Sequence, residues 1–436
     1  MSRILLSAYS CEPGRGSEPA VGWNWATELA RQGHDVTVLT RTANRRAIEL
    51  NGGALPGSVG FLYYDLPGWM LSLRCFPGGR KIYYVLWQWF AARMLRHRFP
   101  QPAFDLAQHV TYVSVRYPSF LGSLSLPFYF GPVSGGETVP RTLRSGFSLP
   151  EGCREALRDL SNWLVPFDPL IRRTLRQATR ILVTRDTLAL LPLDARWKAT
   201  QTLAIALPAV GPEFPRAARP GSHLRLLYVG RLLDWKGVDI AMRAVRSART
   251  VHPGMTLTIV GDGRAKRRLQ RLCQKLQLRD AVQWAGWVSQ SELAAYYRNA
   301  DLLLFPSLRD SGGMVALEAL AHGMPVVAAD LGGPGLIVNR NCGRTVASDG
   351  CTPEQLGDRF CDVLLELAGN PGLLQTLSHG ARQRADDFSF ERLVQSVHPF
   401  PSAAEPPSLE PARSSAAQMD PSAHSDSPAV VTEQLA

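Results

Sequence analysis

The sequence lacks the patterns that mark several large classes of protein. Charged residues make up only 19% of its 436 residues and hydrophobic ones 45%, which excludes a fully disordered chain. The seven cysteines are scattered and never spaced as Cys-x-x-Cys. This spacing excludes a small disulfide-stapled module and fits a reducing compartment better than a structural zinc site. No apolar run reaches membrane-spanning length, and the opening run is too short for a signal peptide, so we expect a soluble, cytoplasmic protein.

Positive charge is concentrated in the first half of the chain. Residues 1–215 contain 24 Lys/Arg against 15 Asp/Glu, whereas the remainder contains 24 against 22. A basic first half can attract nucleic acid, anionic lipid headgroups or a phosphorylated substrate. Because no RNA-binding or zinc-finger motif accompanies the charge, we do not expect a nucleic-acid partner.

Apolar segments alternate with helical patterns along most of the chain, which predicts two α/β domains. Strands are expected at 4–10, 36–40, 106–110, 128–131 and 180–184 in a first domain, 1–207, and at 224–229, 257–260, 282–284, 302–305 and 326–329 in a second, 223–398. In the second domain, Ser289 and Glu292 form a capping box that opens a helix. Two doubly wound, Rossmann-like domains of this kind face a cleft, which is the default ligand site.

Two segments lack this alternation. Residues 208–222 contain four prolines and two glycines and are predicted to be a linker. Residues 399–436 contain seven prolines and seven serines, and we predict that this tail is disordered.

Two loops of the second domain carry residues suited to binding an anion. The loop at 230–237 places Arg231 and Lys236 after a strand. There the forked guanidinium of the arginine and the point charge of the lysine can hold a diphosphate. The alternative is that both are solvated cations. In the segment 306–320, a glycine-rich turn leads into a helix whose first N–H groups favour an anion. Asp310 lies on the turn, and Glu318 lies on an apolar helix face where it needs hydrogen-bond donors such as ribose hydroxyls; the alternative is that Glu318 caps a neighbouring loop.

Together these residues resemble the retaining glycosyltransferases of family 4, the group 1 transferases, which have the GT-B fold. The likeness covers the segments 230–237, 260–263, 284–287, 301–307 and 318–327, and it extends to 10–19 in the first domain. There the chain is similar to a bacterial subgroup linked to exopolysaccharide assembly.

The resemblance implies roles for matching residues of the second domain. Arg231 and Lys236 would bind the donor's diphosphate, Gly313 and Met314 would offer it backbone N–H groups, and Glu318 would bind the ribose of the nucleotide. Asp310 stands at the first carboxylate of the family's paired-glutamate motif, beside the donor sugar. Here the sequence departs from the family, because Asp replaces Glu and Ser311-Gly312 replaces Gly plus a bulky residue.

The first domain contributes further candidates. His109 resembles the family's cleft histidine, which contacts the donor sugar; a structural histidine is the alternative. Gly14 and Gly16 on the first loop permit close approach to phosphate or acceptor, and Glu18 on the same loop is a candidate acceptor contact. The turn 135–137 is a candidate wall of the acceptor side, or a plain glycine turn.

The chain contains no Asp-x-Asp, the usual carboxylate pair for a metal on a nucleotide sugar, so we expect neither a metal nor another cofactor. The segment 81–98 mixes aromatic residues with cations. It is either a core helix or a surface helix on an anionic membrane, with Tyr83, Tyr84, Trp87 and Trp89 at the headgroup level.

The sequence thus predicts a retaining, nucleotide-sugar-dependent glycosyltransferase of cell-surface or exopolysaccharide synthesis, acting on a saccharide or lipid-linked acceptor. The alternatives are a nucleotide-sugar epimerase or hydrolase of the same fold, or a non-catalytic nucleotide-sugar-binding subunit. The sugar, base, acceptor and oligomeric state stay open.

Overall fold

A computed structural model describes residues 1–14, 16, 18–51, 55, 58–99, 103–208 and 223–399. The predicted linker, apart from Pro208, and the predicted tail, apart from Pro399, lie outside the described residues. Within those residues, no helix is both long enough and apolar enough to cross a membrane.

The first sheet has seven parallel strands in the order β3-β2-β1-β4-β5-β6-β7. Its strands are β1 Arg3–Ser7, β2 Asp35–Thr40, β3 Val59–Tyr63, β4 Leu106–His109, β5 Phe128–Val133, β6 Arg180–Val183 and β7 Ala199–Gln201. The helices of this part are α1 Glu18–Arg31, α2 Arg45–Asn51, α3 Gly79–Arg98, α4 Leu149–Leu164, α5 Pro169–Gln177, α6 Arg185–Leu188 and α7 Leu193–Arg196.

The second sheet has six parallel strands in the order β10-β9-β8-β11-β12-β13. Its strands are β8 Arg225–Val229, β9 Thr256–Val260, β10 Val282–Gly286, β11 Leu302–Phe305, β12 Val326–Ala329 and β13 Gly343–Val346. The following helices are α8 Val238–Ala248, α9 Lys266–Lys275, α10 Gln290–Asn299, α11 Met314–Ala321, α12 Pro334–Ile337, α13 Pro353–Ala368, α14 Pro371–Asp386 and α15 Phe390–Val397.

Both sheets are doubly wound, which confirms the predicted fold class. All ten predicted strands are present, and α10 opens with the predicted capping box, in which Ser289 accepts from the amide of Glu292 and the Glu292 carboxylate accepts in return. Three strands were missed: β3, β7 and β13. Each of the three lies at a sheet edge and is partly exposed. The sequences of β7 and β13 have no continuous apolar run to reveal them, whereas β3 has a short one, 61–63, that was missed.

The last helix returns to the first sheet, which differs from the expected domain boundary at 398. Phe390, Val394 and Val397 of α15 join the buried cluster that contains Trp25 of α1. The rings of Trp25 and Phe390 meet edge to face with centroids 6.4 Å apart. The residues 390–397 therefore belong structurally with the first domain, although they follow the second in sequence.

The segment 81–98 forms most of α3. The interpretation as a core helix holds for some of its aromatic residues, and the interpretation as a surface helix holds for another. Tyr83, Tyr84 and Trp87 are buried in the core of the first domain, and the indole N–H of Trp87 donates to the carbonyl of Tyr64 at 2.9 Å. The expectation that these three lie at a lipid headgroup was wrong, because α3 uses that face to cover the sheet. Trp89 alone of the four aromatic residues is exposed.

The return of α15 gives a test of stability. Replacing Phe390 by Ala removes a ring that is 4% exposed and should destabilise the first domain by about 3–5 kcal/mol, the usual cost of truncating a buried Phe. Urea unfolding followed by circular dichroism would measure the change. Gln395→Ala, on the exposed side of the same helix, is the control, and equal stability of both variants would contradict this packing.

Candidate functional site

A pocket of about 310 Å³ opens where loops from both sheets meet. It is lined by Ser134, Gly135, Glu137, Arg158, Lys236, Arg309, Asp310 and Ser311. These residues follow the carboxyl ends of β5, β8 and β11 or lie on α4. Because strands of a parallel sheet end at one edge, loops far apart in sequence meet there.

An ion pair between Lys236 and Asp310 joins the two motif loops of the second domain. The ammonium of Lys236 lies 2.5 Å from Oδ2 of Asp310, and Oδ1 accepts from the amides of Gly313 at 2.8 Å and Gly312 at 3.2 Å. Burial by itself raises the pKa of Asp310, but the charge of Lys236 and these amide hydrogen bonds outweigh it and hold the pKa below its usual value. Asp310 is therefore an ionised carboxylate whose position is fixed by three donors.

The approach of these two loops depends on glycine. Gly237 has φ of +68°, and a Cβ there would lie 2.0 Å from the carbonyl oxygen of Pro306. Any side chain at 237 would therefore push the loop after β11 away from Lys236.

The two side chains predicted to bind the diphosphate have different surroundings in the structure. Lys236 lines the pocket, whereas Arg231 is exposed and its guanidinium has no partner among the described residues. Gly313 precedes the first residue of α11, Met314, but its N–H donates to Asp310. The site is thus held together internally by groups that were expected to face a ligand.

Glu318 lies on α11 and is positioned by α10. Its Oε2 accepts from the hydroxyl of Tyr297 at 2.8 Å, and its Oε1 accepts from the amide of Gln290 at 3.0 Å. The ring of Tyr297 in turn stacks on His322, with centroids 5.1 Å apart. These contacts supply the donors that the carboxylate requires, and its role toward a ribose stays a prediction.

His109 ends β4 as predicted but is only 1% exposed. Its Nε2 lies 2.9 Å from the hydroxyl of Tyr84 and 3.1 Å from the side-chain nitrogen of Gln88, both on α3. Burial lowers the pKa of His109 to about 4, so its imidazole is neutral at physiological pH. The side chain is buried against α3 and is not among the residues that line the pocket, and its contact with a donor sugar stays a prediction.

The first loop lies apart from the pocket lining. Gly14 adopts φ of +66°, and Gly16, like Gly14, is exposed with open space where a Cβ would stand. Glu18 begins α1 and accepts from the amide of Tyr112 at 2.9 Å. Burial raises the pKa of Glu18, and this amide partly opposes the rise. The roles of these three residues toward acceptor or phosphate stay predictions.

The turn at 135–137 does line the pocket. Glu137 is 4% exposed, and it accepts from the amide of Gly135 at 2.8 Å and from the hydroxyl of Thr184 at 2.7 Å. This turn is therefore more than a plain connection between elements.

Sequence reasoning missed the contribution of α4. Arg158 lines the pocket, and Glu155, one turn earlier, pairs with Arg309 of the loop after β11. Glu151, a further turn back, pairs with Arg264. The spacing of Glu151, Glu155, Arg158 and Asn162 marks one polar face of a helix, and that periodicity was the signal available.

The described part of the chain contains no cluster of three or more His, Cys, Asp or Glu residues placed to hold a metal ion.

Solved structures share this two-domain arrangement. Sucrose-phosphate synthase from Thermosynechococcus elongatus superposes with a TM-score of 0.57 at 19% identity, covering 91% of this chain and 97% of its own. The fold is therefore the GT-B architecture of glycosyltransferases.

A family model matches part of the chain. Residues 212–375 match the model described as "Glycosyl transferases group 1". The glycogen synthase of Mycobacterium tuberculosis is 35% identical over 171 residues, 39% of this chain and 40% of that protein. The D-inositol 3-phosphate glycosyltransferase of Streptomyces bingchenggensis is 34% identical over 186 residues, 41% of this chain and 40% of that protein. The chain thus spans about 40% of the length of the curated relatives that it matches.

The Lys236–Asp310 pair gives a test by titration. In Lys236→Met the cation is lost while burial remains, so the pKa of Asp310 should rise. In the wild type, Asp310 stabilises the fold above its unfolded-state pKa, and this stability is lost as the pH falls through its lower folded-state pKa. The variant should therefore lose stability most clearly near neutral pH, by at least about 1 kcal/mol.

Carboxyl-labelled NMR titration would report the pKa directly, and denaturation at several pH values would report the stability. Lys266→Met removes an exposed pair with Asp262 and serves as the control. An Asp310 carboxyl that titrates alike in both variants and in the wild type would contradict the coupling.

Proposed function

We propose that the protein is a retaining glycosyltransferase that moves a sugar from a nucleotide-sugar donor to a hydroxyl of a saccharide or lipid-linked acceptor. The observation that carries the proposal is the Lys236–Asp310 pair at the start of α11, in the cleft of a GT-B fold. A cation, an ionised carboxylate and a helix start at one point suit a donor whose diphosphate departs and whose sugar is held by polar contacts.

In this proposal the second domain holds the donor. Lys236 leaves Asp310 for the diphosphate as the donor enters, Arg231 closes over the same phosphates, and Glu318 holds the ribose. Asp310, released from its cation, accepts hydroxyls of the donor sugar. These groups also stabilise the charge that grows on the departing diphosphate, so we propose that no metal is needed.

The acceptor enters from the first domain, beside Ser134, Gly135 and Glu137. We propose a same-face substitution in which the leaving phosphate oxygen helps to deprotonate the acceptor hydroxyl. No residue is assigned as covalent nucleophile. The likeness of the segment 10–19 to a bacterial exopolysaccharide subgroup supports a place in cell-surface polysaccharide synthesis.

A donor panel of UDP-, GDP- and ADP-sugars tests this function in the presence of EDTA. Arg231→Ala and Lys236→Ala should each weaken donor binding by about 1.5–3 kcal/mol, the range for charge-assisted hydrogen bonds. Calorimetry measures binding, and product analysis by NMR reports the anomeric configuration. Arg246→Ala, which removes a cation from α8, is the control.

The other outcomes separate the alternatives. Donor breakdown without any acceptor would indicate a hydrolase or epimerase. Binding without turnover on any saccharide or lipid-linked acceptor would indicate a non-catalytic subunit. Wild-type affinity in both alanine variants would place the diphosphate elsewhere, and activity that EDTA abolishes and manganese or magnesium restores would contradict the metal-free account.

We propose further that the first domain associates peripherally with the anionic inner face of a membrane. The support lies on α4 and α5 rather than on α3. Leu157, Leu160, Trp163, Leu164, Phe167 and Leu170 are all exposed and define the α4–α5 surface.

The charges around the α4–α5 surface favour an anionic bilayer. Arg172, Arg173 and Arg176 on α5 are exposed, and each contributes about 1 kcal/mol if it comes close to acidic lipid. The carboxylates of α4 are engaged elsewhere: Glu151 and Glu155 face the second domain, and Asp159 pairs with Arg144 at 2.7 Å. Exposed aromatic and aliphatic side chains flanked by cations are typical of a helix lying in a membrane interface.

Flotation with vesicles of varied anionic content tests this association. At low salt, the wild type should float with anionic vesicles but not with neutral ones, and Trp163→Ser/Phe167→Ser should abolish flotation. Changing Arg93, Arg96 and Arg98 of α3 to Gln is the comparison and should leave most binding intact. If only the α3 variant lost binding, or if the wild type never floated, the α4–α5 surface would not be the contact.

A further inference from the structure

The pocket contains one lining cation whose charge is not matched by a carboxylate. Lys236 pairs with Asp310, and Arg309 pairs with Glu155. Glu137 is held by an amide and a hydroxyl. Arg158 forms no ion pair with any described carboxylate, although it lines the same pocket.

The contacts of Arg158 fix its position without neutralising it. Its Nη1 donates to the carbonyl oxygens of Gly135 at 3.1 Å and Glu137 at 3.3 Å. A guanidinium has five N–H groups, and Nη2 and Nε of Arg158 have no partner among the described residues. The side chain is therefore held by its neighbours with donors left for a ligand.

A second guanidinium stands behind the same turn. Nη2 of Arg116 donates to the side-chain oxygen of Asn162 on α4. Gly135 has φ of +104°, and a Cβ there would lie 3.0 Å from Nη1 of Arg116 and 2.6 Å from Oγ of Ser114. Two arginines thus flank one glycine, and both have only neutral hydrogen-bond partners among the described residues.

This arrangement is electrostatically costly as it stands. Burial, and after it the charge of Arg158, lower the pKa of Arg116 to about 10, against the opposing influence of Glu137. Burial also lowers the pKa of Arg158, against the influence of Glu137 and Asp159. A bound anion would compensate both charges, and the planar fork of an arginine matches the oxygens of phosphate or carboxylate.

We infer that Arg158, with the charge of Arg116 behind it, forms an anion-binding subsite for the acceptor, so that the acceptor carries a phosphate or carboxylate group. The inference rests on the proposed function, because it assigns this side of the pocket to the acceptor. Both arginines belong to the first domain, whereas Lys236, which serves the donor, belongs to the second. The pocket then has two anion-binding sides, one for each substrate.

Phosphate binding tests the subsite without knowledge of the acceptor. Calorimetric titration of the full chain with inorganic phosphate should detect binding that Arg158→Gln weakens at least about tenfold (~1.4 kcal/mol). Arg158→Lys, which keeps the charge, should retain most of it. Lys236→Met should lose only the separate phosphate binding of the donor side, and Arg141→Gln, which removes an exposed cation of the same domain, should change nothing. Full phosphate binding in Arg158→Gln, properly folded by circular dichroism, would overturn the inference.

Turnover distinguishes this inference from the proposed function. With a donor from the panel, phosphorylated or carboxylated sugars should be better acceptors than their neutral counterparts. In Arg158→Gln that preference should be lost because the KM for anionic acceptors rises, whereas the KM for the donor should stay unchanged. Equal use of neutral and anionic acceptors by the wild type would overturn the subsite but leave the transferase function standing. Phosphate binding that needs Arg158, in a protein that transfers no sugar, would support the subsite and refute the function.

Two acceptor sources supply the same anion. One is a soluble sugar phosphate, and the other is a prenyl-phosphate-linked sugar presented in neutral vesicles, so each can be tested as acceptor separately. Saturable use of either one that is lost in Arg158→Gln supports the subsite.

Discussion

The ion pair between Lys236 and Asp310 is the contact on which the rest of the site depends. It ties the loop after β8 to the loop after β11, and the other oxygen of the carboxylate accepts from the amides of Gly312 and Gly313, just before α11. One carboxylate thus both neutralises the cation and fixes the turn that leads into the helix. A diphosphate must displace that side chain, so donor affinity is the difference between two sets of charged hydrogen bonds and not the sum of one. The same exchange would free Asp310 at the moment when a sugar is present to receive it.

Helix α4 connects this exchange to the remainder of the molecule. Its polar face directs Glu151 and Glu155 to arginines of the second domain and Arg158 into the pocket. Its opposite face exposes Leu157, Leu160 and Trp163. Since Arg309 lines the pocket and immediately precedes Asp310, the contact of α4 with the second domain is part of the site itself. A surface that orients α4 on a bilayer would therefore also orient the acceptor side of the cleft.

Features set by local sequence were predictable, whereas those set by distant partners were not. The central strands of both sheets and the capping box at Ser289 follow from apolar runs and from a single turn of helix. The return of α15 to Trp25 depends on a contact between residues hundreds of positions apart, and no periodicity reports it. The motif at 230–237 identified Lys236, yet only the structure shows that Lys236 forms an ion pair with Asp310. His109 was found at its strand end, but its burial follows from Tyr84 and Gln88 on a helix whose orientation the sequence does not specify.

Position 310 is an aspartate where the family that the sequence resembles has a glutamate, and the local structure explains this difference. Oδ1 of Asp310 accepts from the amides two and three residues ahead, the turn that a short acidic side chain forms and a longer one does not reproduce. Gly313, with φ of +65°, lets the chain enter α11 directly after that turn. The side chain that loses one methylene of reach toward a sugar thereby gains a fixed position at the helix start. Asp310, Gly312 and Gly313 thus form a single conformational unit. Replacing Asp310 by Glu would lengthen the carboxylate but remove the hydrogen bonds that aim it, so the departure concerns how the carboxylate is held as much as how far it extends.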